Sequence, residues 1–229
     1  MSNFISMLKE YSSLLKVCSV WENSKDILAP IVTDEDTSVA TGCYIYEFYC
    51  YIRIIVDLRN SYRIIFKEGK GKTKYKFPQA AAHKDGKPLF LAYNDNNELE
   101  FQVCAGTKID GLFDSEENHP DISFQLPTAS ENPNHADLIL IMDAKFREDE
   151  RESIPKAEVY KFGVIVDLFD LRGALKKNII FDELKGLESN CLITNGSSYS
   201  NAHDTRLLKK YSIKEVEGFH PGKSFNIVG

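Results

Sequence analysis

The segment from Asp137 to Phe146, Asp-Leu-Ile-Leu-Ile-Met-Asp-Ala-Lys-Phe, constrains the fold more than any other stretch of the chain. A strand's period of two sets Leu138, Leu140, Met142 and Ala144 on one face and Ile139, Ile141, Asp143 and Lys145 on the other. Both faces are apolar until Asp143, and a strand that is apolar on both sides needs cover on both sides. That requirement places it at the centre of a sheet between two layers. Asp143 and Lys145 then leave the strand's end in the same direction. Taken alone, the two are a strand-end charge pair; their surroundings decide whether they are more.

The stretch before it, Asp121 to Leu126, alternates apolar Ile122, Phe124 and Leu126 with Asp121, Ser123 and Gln125. Antiparallel pairing of apolar face with apolar face predicts Ile122 beside Met142, Phe124 beside Leu140 and Leu126 beside Leu138, which sets Asp121 directly opposite Asp143. Opposed side chains have Cβ atoms about 5 Å apart, so two carboxylates placed this way repel unless a cation lies between them. Hard divalent ions such as Mg²⁺ take oxygen ligands of this kind. A third acid, Glu47, lies in the run from Cys43 to Leu58, which is apolar nearly all round. Although rich in strand formers, the run is long enough to read as a buried helix. The residues three and four positions from Glu47 are Cys43, Tyr44, Cys50 and Tyr51, none cationic, whereas Arg53 and Asp57 are spaced i,i+4 and can satisfy each other. Glu47 therefore needs a polar cleft, a metal or a water as partner, because an unpaired carboxylate in so apolar a helix is costly.

The chain of 229 residues is short enough for one core, and a single domain over 1–229 is expected. Within it, 1–41 reads as a helix and loop, 42–60 as the helix with Glu47, and 61–104 as a β-rich meander. The meander strands are expected at Tyr62 to Phe66, Thr73 to Phe77, Leu89 to Tyr93 and Glu98 to Cys104. Residues 105–175 hold the acid-bearing strands and a helix from Lys156 to Leu175. Residues 176–229 read as a βαβ finish, with strands at Ile179 to Phe181, Cys191 to Thr194 and Ile213 to Val216 around a helix from Asn201 to Tyr211.

A hydrophobic content of 43% with 27% charged residues excludes a disordered or coiled-coil chain. No apolar run reaches the roughly 18 residues of a membrane span, so no membrane association is expected. Five cysteines without a CxxC pair and five histidines without HxxxH or HxH spacing argue against a disulfide framework or a zinc cage. With no secretion-signal pattern at the N-terminus, a cytoplasmic protein is expected. The net charge of -6 excludes coating of nucleic acid through bulk positive charge and leaves a local patch open. Lys67, Lys70, Lys72, Lys74 and Lys76 read as a hairpin tip, either solvated or touching a nucleic-acid backbone, with Lys70, Lys72 and Lys74 the candidates for contact.

An acid on an early helix in Tyr46-Glu47-Phe48, Pro120-Asp121 opening a strand, and Asp143-Ala144-Lys145 ending the next together resemble the PD-(D/E)XK nuclease superfamily. Lys156, Tyr160 and Lys161 after that strand look like the lysine and tyrosine-basic pattern of its McrC-like restriction-component branch. The resemblance spans roughly residues 42 to 170. It implies an α/β, restriction-endonuclease-like central mixed β-sheet flanked by helices, with the meander as an insertion. It also implies Mg²⁺, with Mn²⁺ able to substitute, held by Asp121, Asp143 and the Ala144 backbone carbonyl, with Glu47 as an outer ligand or water-positioning base. Lys145 would orient the attacking water and stabilise charge on the phosphate. Tyr160 and Lys161 would face the nucleic-acid backbone. One departure is that the Gln of many relatives' following helix is absent, with Glu158 nearby. The activity implied is hydrolysis of phosphodiester bonds in DNA within a restriction or defence system, by a homodimer or with a targeting subunit. An RNA-cleaving nuclease of the same fold and a non-catalytic interaction module in a defence or repair assembly are the alternatives.

Overall fold

The computed structural model describes residues 1–18, 39–71, 74–75, 77–78, 80–110, 119–173, 175–199 and 205–229. Of the loop expected over 22–41, residues 22–38 lie outside them, as do the candidate Lys72 and residues 201–204 of the helix expected over 201–211. Among the described residues, eight strands form one mixed sheet in sequence order. Helices α1 (Ser2–Cys18) and α2 (Val39–Leu58) precede β1 (Arg63–Lys67), β2 (Leu89–Tyr93), β3 (Leu99–Ala105), β4 (Ile122–Gln125) and β5 (Leu138–Lys145). These are followed by α3 (Lys156–Leu168), β6 (Asn190–Thr194), α4 (Arg206–Tyr211), β7 (Ile213–Glu217) and β8 (Asn226–Val228). Strands β1 to β5 run antiparallel to their neighbours, β5, β6 and β7 are parallel, and β8 returns antiparallel. The parallel pairs are the ones joined through a helix, as a crossover connection requires. The meander is continuous with the acid-bearing strands in the same ladder.

Among the described residues, two cores sandwich the sheet. Phe4, Leu8 and Leu15 of α1 join the buried face of α2 and Leu140, Met142 and Ala144 of β5 in one. Val159, Phe162 and Val166 of α3 and Leu208 of α4 pack with Ile141, Leu192 and Ile213 in the other. β5 is therefore central and covered on both faces, as its double-sided apolarity requires. Helix α2 forms despite its strand-forming residues because Tyr46, Tyr49, Ile52 and Ile55 are all buried. Packing of a long apolar segment overrides weak propensity. It begins at Val39, three residues before the expected start.

The predicted register holds where it matters most, with Ile122 opposite Met142 and Phe124 opposite Leu140. It fails at the third pair, where Gln125, and not Leu126, faces Leu138. Ile139 is the extra residue of a bulge in β5, and the shift turns Leu138 into the second core with Ile141. Four other expectations change. Lys74 and Tyr75 lie in a turn closed by Gly69 N–H to Lys74 O at 2.8 Å, so 73–77 is no strand among its described residues. Ile179 and Phe181 are buried and Ile180 is 55% exposed, but this alternation belongs to a connection without ladder pairing. α3 stops at Leu168 and not at Leu175. Asp170 adopts φ 52°, and Leu171 N–H reaches Val166 O at 2.9 Å, a left-handed helix stop. The short edge strand β8 was not expected. Among the described residues, no helix is long and apolar enough to cross a membrane.

Candidate active site

The end of β5 carries the candidate chemistry. Asp143 and Lys145 point the same way, and Lys145 Nζ lies 2.7 Å from Asp143 Oδ2. The side chains are 16% and 23% exposed, so the pair is largely shielded from water without being sealed off. β5 is held there from the next strand, since Thr194 Oγ1 donates to Lys145 O at 2.7 Å. Across the ladder, Asp121 stands one residue before β4 and continues its register. Its Oδ2 accepts from Ala144 N–H at 2.7 Å, and its carboxyl also hydrogen-bonds that of Asp143. Two carboxyl groups in hydrogen-bond contact must share a proton, and the electrostatics assign it to Asp121. Burial, then the Asp143 and Glu47 charges, push Asp121 well above the usual carboxylate range. Burial also works against ionising Asp143, but the Lys145 ammonium and the Asp121 hydrogen bond outweigh it and hold Asp143 low. Lys145 is likewise penalised by burial and kept firmly charged by Asp143 and Asp121.

Glu47 reaches this cluster from α2. Burial and then the Asp143 charge push its carboxyl up to about 7, with Lys145 pulling partly the other way. Glu47, Asp121, Asp143 and Lys145, drawn from three separated stretches of chain, thus form one electrostatic unit. Glu158 of α3 adds a fifth group, with Oε2 3.0 Å from Lys145 Nζ. Its contact with Lys145 was not foreseen from the sequence. The available signal was position: Glu158 falls in the first turn of the helix that follows the Lys145 strand.

Among the described residues, no three His, Cys, Asp or Glu side chains stand as a ready-made metal cage. The donor set nonetheless fits a hard cation in chemistry, because it is all oxygen and holds more carboxylates than its one lysine balances. Asp121 and Asp143, whose carboxyls interact directly, are the residues that would hold such an ion. A cavity of about 190 Å³ opens beside the acids and is bounded by both Glu47 and Asp121, together with His119.

The candidate nucleic-acid residues divide. Tyr160 is 42% exposed on α3, with Lys156 Nζ 5.4 Å from its ring centre. Lys161, also exposed, is near enough for its charge to help hold Asp143 low. Lys161 therefore belongs to the site's surroundings, whereas Tyr160, two residues after Glu158, projects from a different face of α3. Lys70 pairs with Asp85 at 2.7 Å and Lys74 with Glu68 at 2.6 Å. These lysines follow β1, which runs in the direction of β5, so their loop lies at the same end of the sheet. It is four strands away, about 19 Å at ordinary strand spacing. Comparisons of the chain with protein-family models, curated proteins and solved structures found no match.

Proposed function

We propose that this chain is a metal-dependent nuclease of restriction-endonuclease-like architecture that hydrolyses phosphodiester bonds in DNA. The observation that carries the reading is the meeting of Asp121, Asp143 and Lys145 at one strand end, with Glu47 electrostatically joined to them. A structural ion pair needs one acid per amine, whereas here one lysine serves several carboxylates in a partly shielded cleft. Asp121, Asp143 and the Ala144 carbonyl would hold Mg²⁺ or Mn²⁺, with Glu47 in the outer shell. The ion would supply charge neutralisation at the phosphate and a more acidic water.

The chain's own residues account for the rest. Lys145, fixed between Asp143 and Glu158, presents a permanent positive charge beside the acids, where negative charge grows on the phosphate as it is attacked. Glu47, poised near neutrality, is suited to take a proton from the attacking water. Tyr160 and Lys161 on the exposed side of α3 would contact the backbone beyond the cleft. The acidic chain has little general attraction for DNA, so a homodimer or a targeting subunit in a cytoplasmic restriction or defence assembly would supply it.

The test is incubation of purified protein with single- and double-stranded DNA and RNA, with Mg²⁺, Mn²⁺ or EDTA. Metal-dependent cutting of DNA is expected, with a loss of about 10²-fold or more in Lys145→Ala and Asp143→Ala. Cutting of RNA alone changes the substrate class. Cleavage retained in both variants refutes the site. No cleavage of any substrate with either ion leaves the interaction-module reading.

A further inference from the structure

The cavity beside the acids has two unlike sides. Tyr44, Glu47, Phe48 and Tyr51 are spaced i, i+3, i+4 and i+7 on α2, so one helix face supplies all four. Tyr44 and Phe48 lie near-parallel, with ring centres 6.2 Å apart and planes 22° from each other. Tyr51 is fixed as floor by its hydroxyl, which donates to Val103 O at 2.9 Å. The other side is made of small residues, with Pro78, Ala80 and Ala81 from one segment and Ala105 and Gly106 from the end of β3. Backbone bonds lock this side, since Ala82 N–H donates to Gly106 O at 3.0 Å and Gly106 N–H to Asp121 O at 2.8 Å. Gly106 has φ +52°, and a Cβ there would come within 3.3 Å of Pro78 Cβ, so the wall is already in tight contact behind its lining.

A space of about 190 Å³ holds several waters' worth of volume, at ~30 Å³ each. It is smaller than the ~300–1,000 Å³ of drug-sized sites. Its size and its aromatic side suit one planar ring system. Its position suits a particular one, because Glu47 and Asp121 belong at once to the cavity and to the acid cluster. A ligand that fills the cavity while reaching the acids carries a flat ring joined by a short spacer to a phosphate.

We infer that the cavity is a base-binding slot that takes the nucleobase next to the scissile phosphate. The inference rests on the nuclease reading and deepens it. A base inside a duplex cannot enter such a slot, so the preferred substrate is an unpaired strand or a strand whose end has opened. The α2 aromatics provide the stacking side, and the small residues leave room for the ring. His119, at the same cavity, is placed to meet the base's polar edge.

The experiment uses labelled single-stranded DNA in which one abasic residue is walked along the sequence, cut by wild type, Ala81→Trp and Tyr44→Ala in Mg²⁺. Ala81 is only partly buried, so the larger indole fills the slot without entering a core. Base–aromatic stacking is worth about 5- to 150-fold. Wild type should lose that factor in kcat/KM only when the abasic residue adjoins the cut. Ala81→Trp and Tyr44→Ala should lose a comparable factor on intact DNA and be indifferent to the abasic residue, with thermal unfolding confirming that each is folded. Equal cutting of intact DNA by wild type and both folded variants, or no effect of the abasic walk, overturns the slot and leaves the nuclease standing. A wild type that cuts nothing overturns the nuclease reading, and the slot with it.

Discussion

Replacing Glu47 with Gln should make the metal-free protein more stable at alkaline pH, although it removes a charged side chain from the candidate site. Burial and the Asp143 charge lift this carboxyl from an ordinary 4.5 to about 7, so the folded state holds its proton more tightly than the unfolded chain does. For an acid raised in this way, folding is undisturbed below the unfolded value. Stability then falls as pH rises from 4.5 to 7 and stays lost above it. The difference between those two values corresponds to ~3 kcal/mol at pH 8.5, an upper bound because Glu47 retains some contact with water. Asp121, raised partly by Glu47, moves in the same direction, so relieving Glu47 also relieves its neighbour. For a chain of this size, ~3 kcal/mol amounts to roughly 6–12 °C in Tm. Thermal unfolding by circular dichroism in EDTA, at pH 5 and pH 8.5, measures the effect. Glu47→Gln should gain several degrees on wild type at pH 8.5 and little or nothing at pH 5. An equal change at both pH values, or a less stable variant at pH 8.5, would refute the electrostatic account of the cluster. Saturating Mg²⁺ at pH 8.5 should narrow the gap by stabilising wild type more than the variant.

Two predictions concern the scaffold. A Cβ on Gly163 would lie 2.4 Å from the Tyr211 ring where α3 crosses α4, so Gly163→Ala should cost about 1–3 kcal/mol in urea unfolding. That loss should appear despite the ~1 kcal/mol that alanine gains in helix propensity. Asp57, near the end of α2 and 4% exposed, accepts backbone N–H bonds from Asp182, Glu183 and Leu184 at 3.0, 2.7 and 3.3 Å. Asp57→Ala strands those donors and should lower stability by ~2–4 kcal/mol in the same assay, with a change near zero arguing that the 182–184 turn rearranges freely.

The sequence by itself determined the elements whose partners are close along the chain. The period of β5 and the matching alternation of β4 set Ile122 against Met142, and that pairing carries Asp121 to the Asp143 end of its neighbour. Such information is local, because adjacent antiparallel strands must match their apolar faces and a one-residue slip would bury the wrong set. The same logic failed at Ile139, where a bulge absorbed one residue, and at Ile179 to Phe181, where an alternating pattern met a core without meeting a strand. Length and apolarity were enough to make the Glu47 segment a helix, and Glu47's lack of a partner within that helix was visible too. Which distant group would approach it was not. The closure of Glu158 on Lys145, the capture of 182–184 by Asp57, and the facing of Tyr44 and Phe48 by Ala81 and Gly106 join elements remote from each other in sequence. Those meetings depend on how whole helices and loops settle onto the sheet, and a linear pattern holds no distance between them; only tertiary packing decided them.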